Sequence, residues 1–306
     1  MYKVHCLNNI SEKGLALLSS DYELTDNVDE ADVILVRSAN MKEMEFSANL
    51  KAVARAGAGV NNIPLEKLAE AGVPVFNTPG ANANAVKELV LAGLLLSARD
   101  ILGGIAWCQE NAADENIGKA AEKAKKAFAG HEIDGATLGI IGLGAIGKKV
   151  AVAAEALGMK VVGYDPFMSA EAAAQITPNL TFVTDVNEVY AASDYITIHV
   201  PAVADTIGMI NADAIAKMKD GVVFLNFARD TLVSDADMAA ALESGKVARY
   251  VSDFANAAVM QMKNAIVIPH LGASTAEAEE NCAKMAVEEV MKYLETGEKL
   301  HCVNMK

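Results

Sequence analysis

The sequence predicts an α/β protein of two domains built on parallel sheets, and three observations carry that expectation. The first is length: 306 residues exceed what one hydrophobic core usually organises, and a hydrophobic fraction of 52% suffices for more than one. The second is a series of short apolar runs separated by helix-length segments. Asp32–Val36, Leu138–Ile141, Tyr195–Val200 (YITIHV) and Val222–Phe227 (VVFLNF) are apolar on both faces, as strands of a covered parallel sheet are. The third is Thr137–Phe167, TLGIIGLGAIGKKVAVAAEALGMKVVGYDPF, which sets strand, glycine turn, helix and strand in the order of a βαβ unit.

In chain order, Tyr2–Leu7 reads as the first strand, followed by a helix from Ser11 whose hydroxyl is expected to cap it. Asp32–Val36, Ala52–Ala54 and Val73–Phe76 read as further strands. Each runs into small or polar residues: Arg37–Ser38–Ala39–Asn40, Arg55–Ala56–Gly57–Ala58–Gly59 and Asn77–Thr78–Pro79–Gly80. Such endings suit a site at the carboxyl ends of parallel strands. Ala83–Arg99 reads as a long helix. Its apolar run Leu89–Ala98 is bracketed by charge and too short to span a bilayer, so a buried helix is expected and no membrane partner. Gly103–Ala129 reads as a mixed helix-and-loop arm carrying Trp107 and the basic cluster Lys119, Lys123, Lys125 and Lys126, a solvated face on its composition.

The glycine turn is the most informative motif. Gly142, Gly144 and Gly147 form G-x-G-x-x-G: the first permits a tight turn, the second lets backbone approach a pyrophosphate, and the third lets the helix pack on the strand. Ala145–Leu157 is the helix, with Gly158 as its stop. Lys160–Tyr164 is the next strand, ending at Asp165, 18 residues after Gly147. An acid there accepts hydrogen bonds from the ribose hydroxyls and repels a 2′-phosphate, so NAD is the expected cofactor rather than NADP. Later strands are expected at Tyr195–Val200, Val222–Phe227, Tyr250–Ser252 and Ala265–Ile268. Helices are expected at Asp185–Ala192, Asn211–Met218, Ser234–Glu243, with Ser234 as cap and Gly245 as stop, and Thr275–Leu294.

The candidates for chemistry lie at strand ends in the second half. Arg229 follows Asn226–Phe227–Ala228, Asp253 follows Tyr250–Val251–Ser252, and His270 follows Pro269. A guanidinium grips a carboxylate with two parallel hydrogen bonds, and an imidazole exchanges a proton with a carbinol oxygen near neutral pH. Hydride transfer to a 2-keto acid needs that pair. His199, just before Val200–Pro201, is expected to line the cofactor cleft. No histidine or cysteine spacing suggests a metal. The net charge of −14 argues against nucleic acid as a partner, and four scattered cysteines without C-x-x-C fit a reducing, cytoplasmic setting.

With VRSAN at Val36–Asn40, ARAGAGVNNI at Ala54–Ile63, VFNTPGANANAVKEL at Val75–Leu89, GIIGLGAIG at Gly139–Gly147 and PHLGAST at Pro269–Thr275, the chain resembles the D-isomer-specific 2-hydroxyacid dehydrogenase family along nearly its whole length. It is most similar there to the D-3-phosphoglycerate dehydrogenases. The resemblance implies a Rossmann-type, doubly wound cofactor domain (98–279) inserted into a smaller flavodoxin-like α/β substrate domain (1–97 plus 280–306). It implies NAD-dependent oxidation of D-3-phosphoglycerate, the first step of phosphorylated serine biosynthesis, by a homodimer joined through the cofactor domains and the arm. By position, it makes Arg229 the substrate-orienting arginine and His270 the acid–base group. Asp253 would hold the nicotinamide carboxamide, and Ser38, Ala56 and Gly57 would offer backbone amides to the substrate carboxylate. Arg55 resembles a substrate-phosphate ligand, with Lys125 or Lys126 of a dimer partner as weaker candidates. The cofactor set then comprises Gly142, Gly144, Ala145, Ile146, Gly147, Asp165, His199, Pro201, Thr206, Ala228, Asp253 and Gly272. A serine-binding regulatory domain would begin about where Val303–Lys306 stands, so serine feedback through it is not expected.

Two residues depart from the family pattern. The loop Phe254–Ala258 carries no glutamate to pair with His270, leaving Asn256 or Glu277 as substitutes, and Asp230 replaces the glycine after the arginine. Two alternatives stay open at this point: reduction of another 2-keto acid, and a dinucleotide-binding module that has lost turnover.

Overall fold

The computed structural model describes residues 1–305, and the chain divides into two compact units, Met1–Ala85 with the segment from Ala273 onward, and Val86–Gly272. The first unit is a five-stranded parallel sheet in the order β2-β1-β3-β4-β5. Its strands are β1 (Tyr2–Cys6), β2 (Tyr22–Leu24), β3 (Val33–Val36), β4 (Ala52–Arg55) and β5 (Val75–Phe76). This is the flavodoxin-like order, as the resemblance implied. Helices α1 (Glu12–Leu15) and α2 (Leu65–Glu70) connect the early strands. The expected cap on α1 does not form: Ser11 precedes the helix, but its hydroxyl bonds no backbone N–H.

The C-terminal helix of this unit runs Ala276–Thr296, with Thr275 capping it through Ala278 N–H at 3.1 Å and Gly297 ending it at φ 76°. Its apolar stripe, Cys282, Ala283, Ala286, Val287 and Val290, closes one face of the sheet over Val33, Leu35, Ala52 and Ala54. The opposite face is covered by Met41, Leu50, Ile63 and Leu68 around Ile34, Val36 and Val53. The last residues strap the β5 edge. Cys302 bridges Phe76 antiparallel, and Asn304 Oδ1 accepts the Val75 N–H at 2.8 Å.

The second unit begins with α3 (Ala83–Ala98), α4 (Ile101–Glu110) and α5 (Ile117–Ala124). Its seven strands are all parallel: β6 (Thr137–Ile141), β7 (Lys160–Tyr164), β8 (Thr181–Val183), β9 (Tyr195–Ile198), β10 (Val222–Asn226), β11 (Val247–Ser252) and β12 (Ala265–Val267). Their order is β12-β11-β10-β9-β6-β7-β8. The chain winds outward from β6 in one direction and then, from β9, in the other. The crevice at the carboxyl ends of β6 and β9 is therefore the topological switch point, where open α/β sheets bind ligands. Helices α6 (Ala145–Ala156), α7 (Ala170–Ala174), α8 (Val186–Ala192), α9 (Ala212–Ala216) and α10 (Asp235–Ser244) make the crossovers. Gly245 ends α10 in the left-handed conformation (φ 77°), whereas Ser234 precedes it without a side-chain capping bond.

The observed boundaries fall earlier than expected, at 85/86 and 272/273 rather than near 97 and 280. The cause is α3. Val86, Val90, Leu94 and Ala98 are buried in the second unit's core beside Leu138, Leu225 and Val251, so the helix folds with the second sheet. Helices α4 and α5 bury no residue, and Ile101, Leu102 and Ile105 lie exposed on α4. Among the described residues no single helix is long and apolar enough to cross a membrane.

Candidate active site

At the end of β6 the three glycines each meet a different constraint. Gly142 has φ +94° and a Cβ there would stand 2.6 Å from the His199 carbonyl oxygen, so only glycine makes this turn. A Cβ on Gly147 would collide with the Gly142 carbonyl oxygen, which is how closely α6 lies on its strand. Gly144 is the reverse case: a Cβ there would meet nothing within 4 Å. Gly144 is also the N-cap of α6, with no side-chain capping bond and no acid in the first turn. The orphan N–H groups of that turn, with the positive end of the helix dipole, form a cradle open at Gly144, and a pyrophosphate fits it in charge and in room. Ala145 and Ile146 supply amides of that first turn.

Asp165, at the end of β7, is held over the same loop. Its Oδ2 accepts the Leu143 N–H at 2.9 Å and its Oδ1 accepts the Phe167 N–H at 2.9 Å. Each oxygen keeps a further lone pair for a ribose hydroxyl. His199 lies at the switch point, with its N–H on Ile141 O at 2.7 Å and its Nε2 3.0 Å from Thr197 Oγ1. Burial holds the imidazole's pKa down to about 3, so the ring is neutral near pH 7. Its Nδ1 is buried and has no hydrogen-bond partner among the described residues. An orphaned polar atom at this point supports a ligand in the crevice. Thr206 and Pro201 are occupied with each other: the Thr206 hydroxyl donates to Pro201 O and accepts from Val203 N–H, bracing a turn.

Arg229 is set by a residue that sequence reasoning passed over. Asn226, fully buried at the end of β10, accepts the Ala228 N–H at 3.1 Å and donates to Arg229 O at 2.8 Å. Its polar side chain in an otherwise apolar strand was the available signal. The guanidinium bonds the Ala228 carbonyl. Asp230 turns away into a short 3₁₀ turn, Oδ1 on Thr231 N–H at 2.8 Å, and no ion pair joins it to Arg229 among the described residues.

His270 has φ +56°, a left-handed conformation that costs a non-glycine residue energy and recurs at functional sites. Asp253 holds it there. Its carbonyl accepts the His270 N–H at 2.9 Å, while its carboxylate accepts Leu271 N–H at 2.7 Å and Gly272 N–H at 2.8 Å. Burial pushes the Asp253 carboxyl pKa up, and the two amides pull it back. The expected contact with a nicotinamide carboxamide is thus joined by a structural task that occupies both oxygens. Gly272 serves that task too, since a Cβ on it would stand 2.9 Å from Asp253 Oδ2. The His270 ring is exposed, packed edge-on against Phe254 at 5.0 Å between centroids. Among the described residues no carboxylate forms a hydrogen bond or an ion pair with the His270 ring, and the Asp253 carboxylate acts on it only through its charge. Asn256 is committed elsewhere, Oδ1 to Ala258 and Val259 N–H and Nδ2 to Asp235.

In the first unit the carboxyl ends of β3 and β4 gather Arg37, Ser38, Arg55, Ala56 and Gly57. Arg55 Nε donates to Arg37 O at 3.0 Å, and its guanidinium lies where a Cβ on Gly57 would be. Arg37 pairs with Glu279 at 2.7 Å. The amides of Ser38, Ala56 and Gly57, expected to face a substrate carboxylate, already have protein partners. Ser38 N–H bonds Asn8 Oδ1 at 3.1 Å, Ala56 N–H bonds Val36 O at 2.8 Å, and Gly57 N–H bonds Arg55 O at 2.8 Å. Backbone donors at strand ends are paired within the protein where acceptors are in reach. Lys125 pairs with Glu122 on the arm. Among the described residues no cluster of three His, Cys, Asp or Glu is placed to hold a metal.

A doubly wound sheet with this glycine turn, an acid over it, and an arginine after β10 and a histidine after β12 at the same edge of the sheet defines a dinucleotide-dependent oxidoreductase. The family model for the D-isomer specific 2-hydroxyacid dehydrogenase NAD binding domain matches residues 91–272, and that for the catalytic domain of the same family matches 6–137. The chain is 34% identical to a hydroxypyruvate reductase of Thermotoga maritima over 96% of this chain and 98% of that protein. It is also 34% identical to a D-3-phosphoglycerate dehydrogenase of Methanocaldococcus jannaschii, over 99% of this chain and 57% of that protein. It spans about half the length of the curated relatives named D-3-phosphoglycerate dehydrogenase that it matches. Among solved structures, a glyoxylate reductase from Paecilomyes thermophila superposes with a TM-score of 0.82 at 24% identity, covering 99% of this chain and 98% of that one, a likeness of fold. The chain belongs to the D-isomer specific 2-hydroxyacid dehydrogenase family and is an NAD-dependent oxidoreductase.

The glycine geometry separates folding from cofactor binding. Gly147→Ala forces α6 off its strand and should cost about 1–3 kcal/mol of stability or more. Gly144→Ala meets no protein atom, so it should leave the melting temperature within a degree or two while weakening NADH binding at least tenfold. Thermal melts and NADH fluorescence titrations of both variants check this. Equal losses of stability, or tight NADH binding by Gly144→Ala, would contradict the cradle.

Proposed function

We propose that the chain interconverts D-3-phosphoglycerate and 3-phosphohydroxypyruvate with NAD. The observation that carries the chemistry is that Arg229, braced by Asn226, and His270, clamped by Asp253, each stand beyond the carboxyl end of a strand of the cofactor sheet. The bound dinucleotide supplies the hydride acceptor for oxidation and the donor for reduction. Arg229 orients the substrate carboxylate through paired N–H donors. His270 takes the proton of the C2 hydroxyl as its C–H bond is broken, and returns it when the keto group is reduced. Asp253 keeps the imidazole's backbone in place for both directions. Asp165 favours NAD, since its charge opposes a 2′-phosphate. Arg55, ordered by Arg37 O, is the group we assign to the substrate phosphate. A homodimer belongs to the same reading: Ile101, Leu102 and Ile105 are exposed together on α4, where a second copy would cover them.

A second reading is reduction of an unphosphorylated 2-keto acid. It is favoured by the near full-length match to a protein named hydroxypyruvate reductase, at the same identity as the match to a phosphoglycerate dehydrogenase.

Steady-state NADH oxidation with 3-phosphohydroxypyruvate, hydroxypyruvate and glyoxylate separates these readings. The first expects at least a tenfold preference in kcat/KM for the phosphorylated acid. It also expects Arg55→Ala to raise that acid's KM by an amount worth about 1.5–3 kcal/mol while leaving hydroxypyruvate nearly unchanged. A preference for hydroxypyruvate selects the second reading. His270→Ala should cost about 10² or more in kcat under either. Activity retained within a few-fold rejects the histidine, and no turnover of any keto acid leaves a nucleotide-binding module.

A further inference from the structure

The loop Arg37–Ala39, at the carboxyl end of β3, is gripped from both sides. Three consecutive backbone donors converge on one atom, Asn8 Oδ1: Arg37 N–H at 2.9 Å, Ser38 N–H at 3.1 Å and Ala39 N–H at 3.0 Å. Asn8 Nδ2 also reaches Ser38 Oγ at 3.3 Å. On the other side the loop's carbonyls accept from Arg55 Nε, at 3.0 Å to Arg37 O, and from Asn62 Nδ2, at 2.8 Å to Ala39 O. Successive N–H groups closing on one point form the concave cradle that proteins otherwise use for anions. Here the chain fills its own cradle with a neutral amide oxygen. Asn8 itself is fixed, because Leu7 extends β1 by donating its N–H to Leu35 O at 2.9 Å.

We propose that Asn8 is a positioning residue for the anionic substrate: by filling the amide cradle it fixes the loop, and through Arg37 O it fixes the direction of the Arg55 guanidinium. The inference rests on the reading of Arg55 as a substrate ligand. An empty cradle would leave three adjacent N–H groups unsatisfied, and the loop would relax toward water. Arg55 Nε would then lose its fixed acceptor, and the cost would fall on substrate affinity rather than on hydride transfer, whose groups lie in the other unit. Aspartate is the conservative replacement, since its oxygen accepts the same three donors.

The test compares Asn8→Ala and Asn8→Asp with the parent in three measurements. KM and kcat are taken with 3-phosphohydroxypyruvate and with hydroxypyruvate. NADH affinity is measured by fluorescence, and amide hydrogen exchange is followed over the 37–39 peptide. Asn8→Ala should raise KM for 3-phosphohydroxypyruvate by at least tenfold, with kcat and the NADH dissociation constant within about threefold, and should speed exchange of the peptide at least tenfold. Asn8→Asp should restore KM to within about threefold and restore slow exchange. An unchanged KM in Asn8→Ala overturns the proposal. A lower KM overturns it too, because the emptied cradle would then be binding substrate and Asn8 would be a plug. Parallel loss of NADH binding also overturns it, as general unfolding. If the parent turns over no keto acid, the reading of the substrate has failed, and the exchange arm still decides whether Asn8 orders the loop.

Discussion

The closeness of Gly147 to the Gly142 carbonyl is the constraint on which the second unit depends. With no side chain between them, α6 starts directly above the end of β6, and its first turn of N–H groups faces out over the sheet. That placement leaves Gly144 open, brings Leu143 N–H within reach of Asp165, and lets the His199 carbonyl lie against Gly142. Any side chain at Gly147 would push the helix away and open the crevice at the switch point. The chemistry of the site is therefore downstream of one packing contact between backbones.

Beyond that contact, both units order their loops by the same device. A short polar side chain at or just beyond a strand end accepts loop amides, near or far in sequence: Asn8 for Arg37–Ala39, Asn226 for Ala228, Asp253 for Leu271 and Gly272, Asn256 for Ala258 and Val259. Each bond is worth little net, but leaving its buried partner unmade would cost about 1–3 kcal/mol. The device explains how exposed residues such as His270 keep a strained backbone. Around that imidazole, Asp253 fixes the backbone and Phe254 packs against the ring.

Central strands were legible in the sequence because burial on both faces demands continuous apolar runs, as in Val222–Asn226. The edges were not. Tyr22–Leu24 buries only its tyrosine and Thr181–Val183 buries nothing fully, so neither shows a run to recognise. Helix α2 buries only Leu68. Helix α3 is apolar nearly all round, and periodicity could not say which sheet it joins. In the site, what local spacing fixes was readable: the tight glycine turn and the acid held over it. Roles that depend on a partner far along the chain were not. Ser38 N–H looks available until Asn8, 30 positions earlier, is seen to occupy it. The sequence does not show that Asp253 also holds the turn 18 and 19 positions later.

Direct hydride transfer between C2 of a 2-hydroxy acid and a dinucleotide at the β6 turn can be followed by isotope transfer. NADH deuterated on one or the other face of nicotinamide C4 is incubated with the chain and its preferred 2-keto acid, and the product is analysed by mass spectrometry and for configuration. One deuterium is expected at C2, delivered from one face only, in a product of D configuration. A product of L configuration, or one whose C2 hydrogen comes from solvent, would contradict it.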